Sequence, residues 1–94
     1  MNCLEKILKD IKVGYYFDTH YVINRIIEKE EYTDEYIRFS AQYSESEKPT
    51  FTTHQQIGHQ IASFEGNLVE RQKGQSWSVN IHGNSSECAL WKRI

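Results

Sequence analysis

The side chains able to do chemistry in this chain are four histidines, two cysteines and a C-terminal cluster in which His82, Glu87 and Cys88 lie close together. Nucleophilic catalysis needs a thiol or hydroxyl beside a base and an orienting acid. On an extended hairpin, alternation lets His82 meet Glu87 on one face while Cys88 points inward, which is the placement of a buried structural thiol. The histidines could instead hold a metal. His54 and His59, however, are five residues apart, about 140° around a helix, whereas paired zinc ligands sit at i, i+4 or across a loop. His20 and His82 are remote from both in sequence, so partly exposed, hydrogen-bonding histidines are expected and no metal or cofactor is. No glycine-rich phosphate loop is present, and Glu30-Glu31 and Asp34-Glu35 read as solvated helix ends. The chain is therefore expected not to be an enzyme.

Ninety-four residues with 38% hydrophobic content give one domain with a single core, and so short a chain leaves dimerisation open as a way to hide further apolar surface. The formal charge is −2, but it is uneven: residues 1–51 hold seven Lys/Arg against ten Asp/Glu, and residues 52–94 hold four against three. A polyanion would meet the second half. Cys3 and Cys88 form no C-x-x-C pair, which fits a reducing cytoplasm. Met1 to Lys12 has no continuous apolar run, so neither a secretory signal nor a membrane segment is expected there.

These residues must be positioned by a small set of elements. Leu4, Ile7, Leu8 and Ile11 follow helical spacing up to Gly14. Asp18 can cap a second helix with Val22, Ile23, Ile26 and Ile27 inward, closed by Glu28-Lys29-Glu30-Glu31. Thr33 opens a third, with Tyr36, Ile37, Phe39 and Tyr43 on its buried side. Residues 44–51 form a polar loop between a helical half (1–43) and the remainder (52–94), too short to separate domains. Thr53 and Gln56 have capping-box spacing, and Ile57, Ile61, Phe64 and Leu68 continue a helical stripe to about Gln72, as one helix or as two broken near Gly66.

Trp77, Val79 and Ile81 alternate with polar residues, as do Cys88 and Leu90 beyond Gly83-Asn84-Ser85-Ser86. With Asn84 and Ser85 at the tip, Ile81 faces Cys88 and Val79 faces Leu90 on a core side, leaving Trp91 on the polar side. The expected fold is α+β, mainly helical, with a C-terminal antiparallel hairpin.

Counting from His54, the segment has apolar Ile57, small Gly58, apolar Ile61 and apolar Leu68 at the fourth, fifth, eighth and fifteenth places. This resembles the helix-turn-helix pattern, and with the hairpin it resembles a winged-helix domain over residues 53–94. Ala62 stands where the family usually has glycine, and Arg71 where it has an apolar residue. The resemblance implies a DNA-binding regulator or adaptor with a recognition helix over residues 65–73. Asn67, Arg71, Gln72 and Lys73 would contact bases or phosphates, and Ser76, Ser78, Asn84, Lys92 and Arg93 would lie along the duplex backbone. A second reading comes from the acidic, tyrosine-rich first half, where Tyr32, Asp34, Glu35 and Tyr36 suit docking on a basic protein, as an inhibitor, immunity protein or antitoxin would.

Overall fold

A computed structural model describes residues 1–94. Four α-helices, α1 (Asn2–Asp10), α2 (Thr19–Glu28), α3 (Thr33–Ala41) and α4 (Pro49–Ala62), accompany three strands, β1 (Tyr16–Asp18), β2 (Val69–Val79) and β3 (Ser85–Arg93). A short 3-10 turn, Glu30–Tyr32, joins α2 to α3. The strands form one antiparallel sheet in the order β1-β3-β2, so the fold is α+β. None of the helices is long and apolar enough to cross a membrane.

The core is built from the expected helical stripes. Leu4 and Leu8 of α1, Val22 and Ile26 of α2, and Ile57 and Ile61 of α4 are fully buried, joined by Val69 and Trp91 of the sheet. Asp18 ends β1 and caps α2: its Oδ1 accepts from the Tyr21 amide at 2.8 Å. The ends of α1 are satisfied from elsewhere in the chain. The Glu35 carboxylate accepts from the Cys3 amide at 2.9 Å, and the Arg93 Nε donates to the Leu8 carbonyl at 2.8 Å. A helix without its own N-cap side chain is thereby capped by its neighbours. Two expected inward residues, Ile27 and Ile37, are exposed instead.

The second half departs from expectation in three ways. Helix α4 begins at Pro49, which suits the first helical position because its missing N–H would have no intrahelical partner there. Thr53 is consequently a buried mid-helix residue and no capping box forms. The helix also stops at Ala62, so residues 65–73 are not a recognition helix and no helix-turn-helix exists within 54–73. The Phe64 carbonyl accepts from the amides of Asn67, Leu68 and Val69, and Gly66 adopts φ +82°, a combination that turns the chain into β2.

The third departure is the hairpin register. Trp77 pairs with Glu87 and Val79 with Ser85, around a loop organised by Asn80, whose Oδ1 accepts from the amides of His82 and Asn84. A bulge between Arg71 and Gln75, with Gly74 at φ +79°, interrupts the ladder. Bulges sharpen strand twist, and here the face turned to the helices changes across it. Val69 is buried before the bulge, whereas Ser76 and Ser78 bond to Asp18 and His20 after it. Trp77, Val79 and Ile81 therefore lie exposed, and Trp91 is buried in their place.

Candidate functional site

The start of α2, the length of α4 and the β2–β3 hairpin enclose a cleft of about 720 Å³, within the usual range for ligand pockets. All four histidines of the chain line it. Helix α4 contributes Thr50, His54, Gln55, Gly58 and His59, residues that spread over about half of the helix circumference. Two histidines that point too far apart to chelate one ion can thus border the same opening. Gly58 faces α2, where a Cβ would lie 3.8 Å from Thr19 Cγ2, an ordinary contact.

His20 and His54 are half-buried on the cleft walls, and His59 and His82 are exposed at the rim. His20 Nδ1 lies 2.7 Å from Ser78 Oγ and its Nε2 lies 3.4 Å from Ser86 Oγ. His54 Nε2 lies 2.8 Å from the Tyr36 hydroxyl. A hydroxyl can donate to a neutral imidazole or accept from an imidazolium, so these bonds survive either charge state. Burial, reinforced by His82 and His20, pushes the His54 pKa below that of a free histidine, whereas burial raises that of Tyr36. No three His, Cys, Asp or Glu side chains converge closely enough to hold a metal ion.

Cys88 is half-buried with Sγ 3.9 Å from Ser78 Oγ, and burial pushes its thiol up, keeping it protonated. His20 and Ser78 form a base and hydroxyl pair, but Asp18 accepts from Tyr21 and Ser76 rather than from His20. Burial opposes ionisation of Asp18. The Tyr21 amide, the Ser76 and Ser78 hydroxyls and the charge of His20 outweigh it and hold the carboxyl below its ordinary value. The third member of a hydrolytic triad is not assembled.

At the inner end of the cleft, Trp91 Nε1 donates to Thr19 Oγ1 at 3.1 Å, and the Arg71 guanidinium lies over the Trp91 ring at 5.6 Å. Arg71 Nη1 also donates to the carbonyls of Gln72, Gly74 and Leu90, filling the bulge. With its amide turned to satisfy both neighbours, Gln75 donates to the Cys88 carbonyl and accepts from Arg71 Nη2.

The residues expected to contact DNA are therefore dispersed. Asn67 is exposed in the turn after α4, Lys73 is exposed at the bulge and Asn84 lies in the hairpin loop. Gln72 bonds to Glu70; Ser76 and Ser78 bond to Asp18 and His20. Lys92 sits 5.8 Å from the centre of the Tyr16 ring, and Arg93 caps α1. In the acidic half, Tyr32 is buried, Glu35 bonds to Cys3, Tyr36 bonds to His54, and only Asp34 is fully exposed. The four histidines are the feature that spacing missed: the cleft is made by the bulged hairpin folding beside α4, which no local pattern encodes. Comparison with protein-family models, curated proteins and solved structures found no match.

Proposed function

We propose that the protein is a non-enzymatic, winged-helix-like regulator or adaptor that meets duplex DNA through α4 and the β2–β3 hairpin. The observation that carries this reading is the distribution of carboxylates. Ten of the thirteen precede Lys48; none lies between Lys48 and Phe64 or between Arg71 and Ser86. Helix α4 thus turns a carboxylate-free face outward, with Thr50, Gln55, His59 and Gln60 as exposed hydrogen-bonding groups and Lys73 exposed on the neighbouring hairpin. Repulsion of a polyanion is least at this face of α4; on the hairpin beside it the carboxylates are Glu70 and Glu87. The connectivity supports the same reading, since a helix followed directly by a hairpin is the arrangement in which a wing flanks a groove-reading helix. Function still has to be argued from the surface rather than from the fold.

The relevant surface is α4, not residues 65–73. The reading in which the acidic half docks a basic protein draws less support, because Tyr32, Glu35 and Tyr36 already serve internal contacts. The test is fluorescence anisotropy of labelled random duplex DNA at low and physiological salt, comparing wild type with Gln55→Glu/His59→Glu/Lys73→Glu. Wild-type binding should weaken steeply with salt, and the variant, with an unchanged melt, should lose about tenfold or more in affinity. Absence of binding at low salt refutes the reading; full affinity in the variant refutes the surface.

A further inference from the structure

We propose that the histidine-walled cleft is a binding site for phosphoryl anions whose occupancy increases as the histidines take up protons. Every histidine of the chain faces this one space, although the four come from α2, α4 and the hairpin. The fixed charges on its walls are few. Arg71 is committed to backbone carbonyls and to the Trp91 ring, and Glu87 is the one carboxylate on the lining. Behind His20, the Asp18 carboxylate is occupied by Tyr21 and Ser76; beside it, the Cys88 thiol is neutral. From α3, the Tyr36 hydroxyl reaches His54. Near neutral pH, Arg71 and Glu87 offset one another. Protonation of imidazoles adds positive charge to these walls, partly balanced at His20 by the Asp18 carboxylate behind it.

The groups available around that charge suit phosphate oxygens. Imidazolium N–H groups make strong charge-assisted bonds to phosphoryl oxygens; His20, whose two ring nitrogens face Ser78 and Ser86, adds charge rather than a bond, and the Asn24 and Gln55 amides on the same walls add neutral donors. The histidines also feel one another: the charges of His82 and His20 add to burial in depressing the proton affinity of His54. An anion in the cleft replaces that mutual repulsion with attraction. Anion binding and proton uptake are then linked, each strengthening the other.

This inference uses the same surface as the duplex reading but does not require it, because free pyrophosphate presents the same chemical group as a nucleic-acid backbone. The test follows the imidazole C–H resonances while inorganic pyrophosphate is titrated at about pH 5.5 and about pH 8, either side of the ordinary histidine pKa. Saturable shifts are expected at the lower pH, with affinity at least about tenfold weaker at the higher. Calorimetry in buffers of different ionisation enthalpy should show net proton uptake on binding. His54→Gln and His82→Gln, each with its melt checked, should weaken binding at the lower pH and flatten its pH dependence. Absence of saturable shifts, equal affinity at the two pH values, or wild-type affinity in the double Gln variant overturns the proposal. Labelled duplex DNA titrated under the same conditions separates the two readings. Pyrophosphate binding without duplex binding upholds the phosphoryl site and removes the duplex function; duplex binding with silent pyrophosphate does the reverse.

Discussion

The two tryptophans provide a sharp test of the hairpin, because strand alternation and the observed register assign them opposite fates. Trp91 is 3% exposed, donates to Thr19 and carries Arg71 on its ring, whereas Trp77 is 68% exposed. Truncating Trp91 to alanine removes a large buried ring and strands the Thr19 hydroxyl, itself buried, without its donor. Such a change costs about 3–5 kcal/mol, a large part of the roughly 5–15 kcal/mol that holds a small domain folded. Trp77→Ala lies away from the core and should stay within about 0.5 kcal/mol. Urea unfolding followed by far-UV circular dichroism measures both. Iodide quenching adds an independent reading: Trp91 fluorescence, isolated in the Trp77→Phe variant, should be shielded, while Trp77 fluorescence, isolated in Trp91→Phe, should be quenched freely. If Trp77→Ala destabilises more than Trp91→Ala, the bulge does not turn the hairpin as described, and the cleft built on it falls too.

Two further predictions follow from buried groups. Thr53 is 1% exposed and its Oγ1 has no hydrogen-bond partner, so Thr53→Val should stabilise the protein by about 1 kcal/mol. That raises the melting temperature by roughly 4–8 °C in a domain of this size; a fall would show that the hydroxyl is satisfied in solution. Stability should also decline toward both ends of the pH scale. The depressed pKa values of His54, Asp18 and Glu35 mean that the unfolded chain binds more protons than the native one. Their contributions are complete above the free-group values of 6.5, 3.8 and 4.5 and are lost as pH falls below each. The Cys3 thiol, raised by burial and by Glu35 to about 12, acts in the opposite sense: its contribution is complete below 9.0 and lost as pH rises toward 12. Denaturant midpoints measured across pH should show both limbs. Cys3→Ala should make the alkaline decline that begins near 9.0 shallower, leaving the part that the raised Cys88, Tyr32 and Tyr36 contribute, and an unaltered limb would contradict the assignment.

The helical part of the fold was legible because its signals are local. Leu4, Ile7 and Leu8, the Asp18 cap and the Thr33 start each follow from a few neighbouring residues, and each stands in the structure. What was illegible depends on contacts between distant segments. Tyr16–Asp18 is too short to announce itself as a strand, and it exists because β3 offers it an edge. The end of α4 was hidden because Phe64 and Leu68 continue a helical stripe while belonging to the turn that breaks it. The hairpin misled more seriously. Past the bulge at Gly74 the alternation holds, but the side turned to the helices is the one carrying Ser76 and Ser78, so the tryptophan assigned to the core lies outside and the one assigned to the surface lies inside.

That same bulge decides which charges the second half can offer to a ligand. A DNA binder of the expected kind would use Arg71, Lys73, Lys92 and Arg93 together on one surface. In the fold, Arg71 is drawn into the bulge and Arg93 onto the end of α1, where their donors satisfy carbonyl groups. Lys92 lies over Tyr16 beside β1, leaving Lys73 exposed on the hairpin. Apart from Arg71, which is committed to backbone carbonyls, the basic groups facing the cleft are histidines, whose charge depends on the solution. Any affinity of this face for anions should therefore vary with pH as well as with salt. A binder relying on lysine and arginine contacts would respond to salt alone between about pH 5.5 and 8. Measuring duplex affinity on a grid of both variables separates these two electrostatic designs, and a flat response along the pH axis would show that the histidines do not supply the attraction.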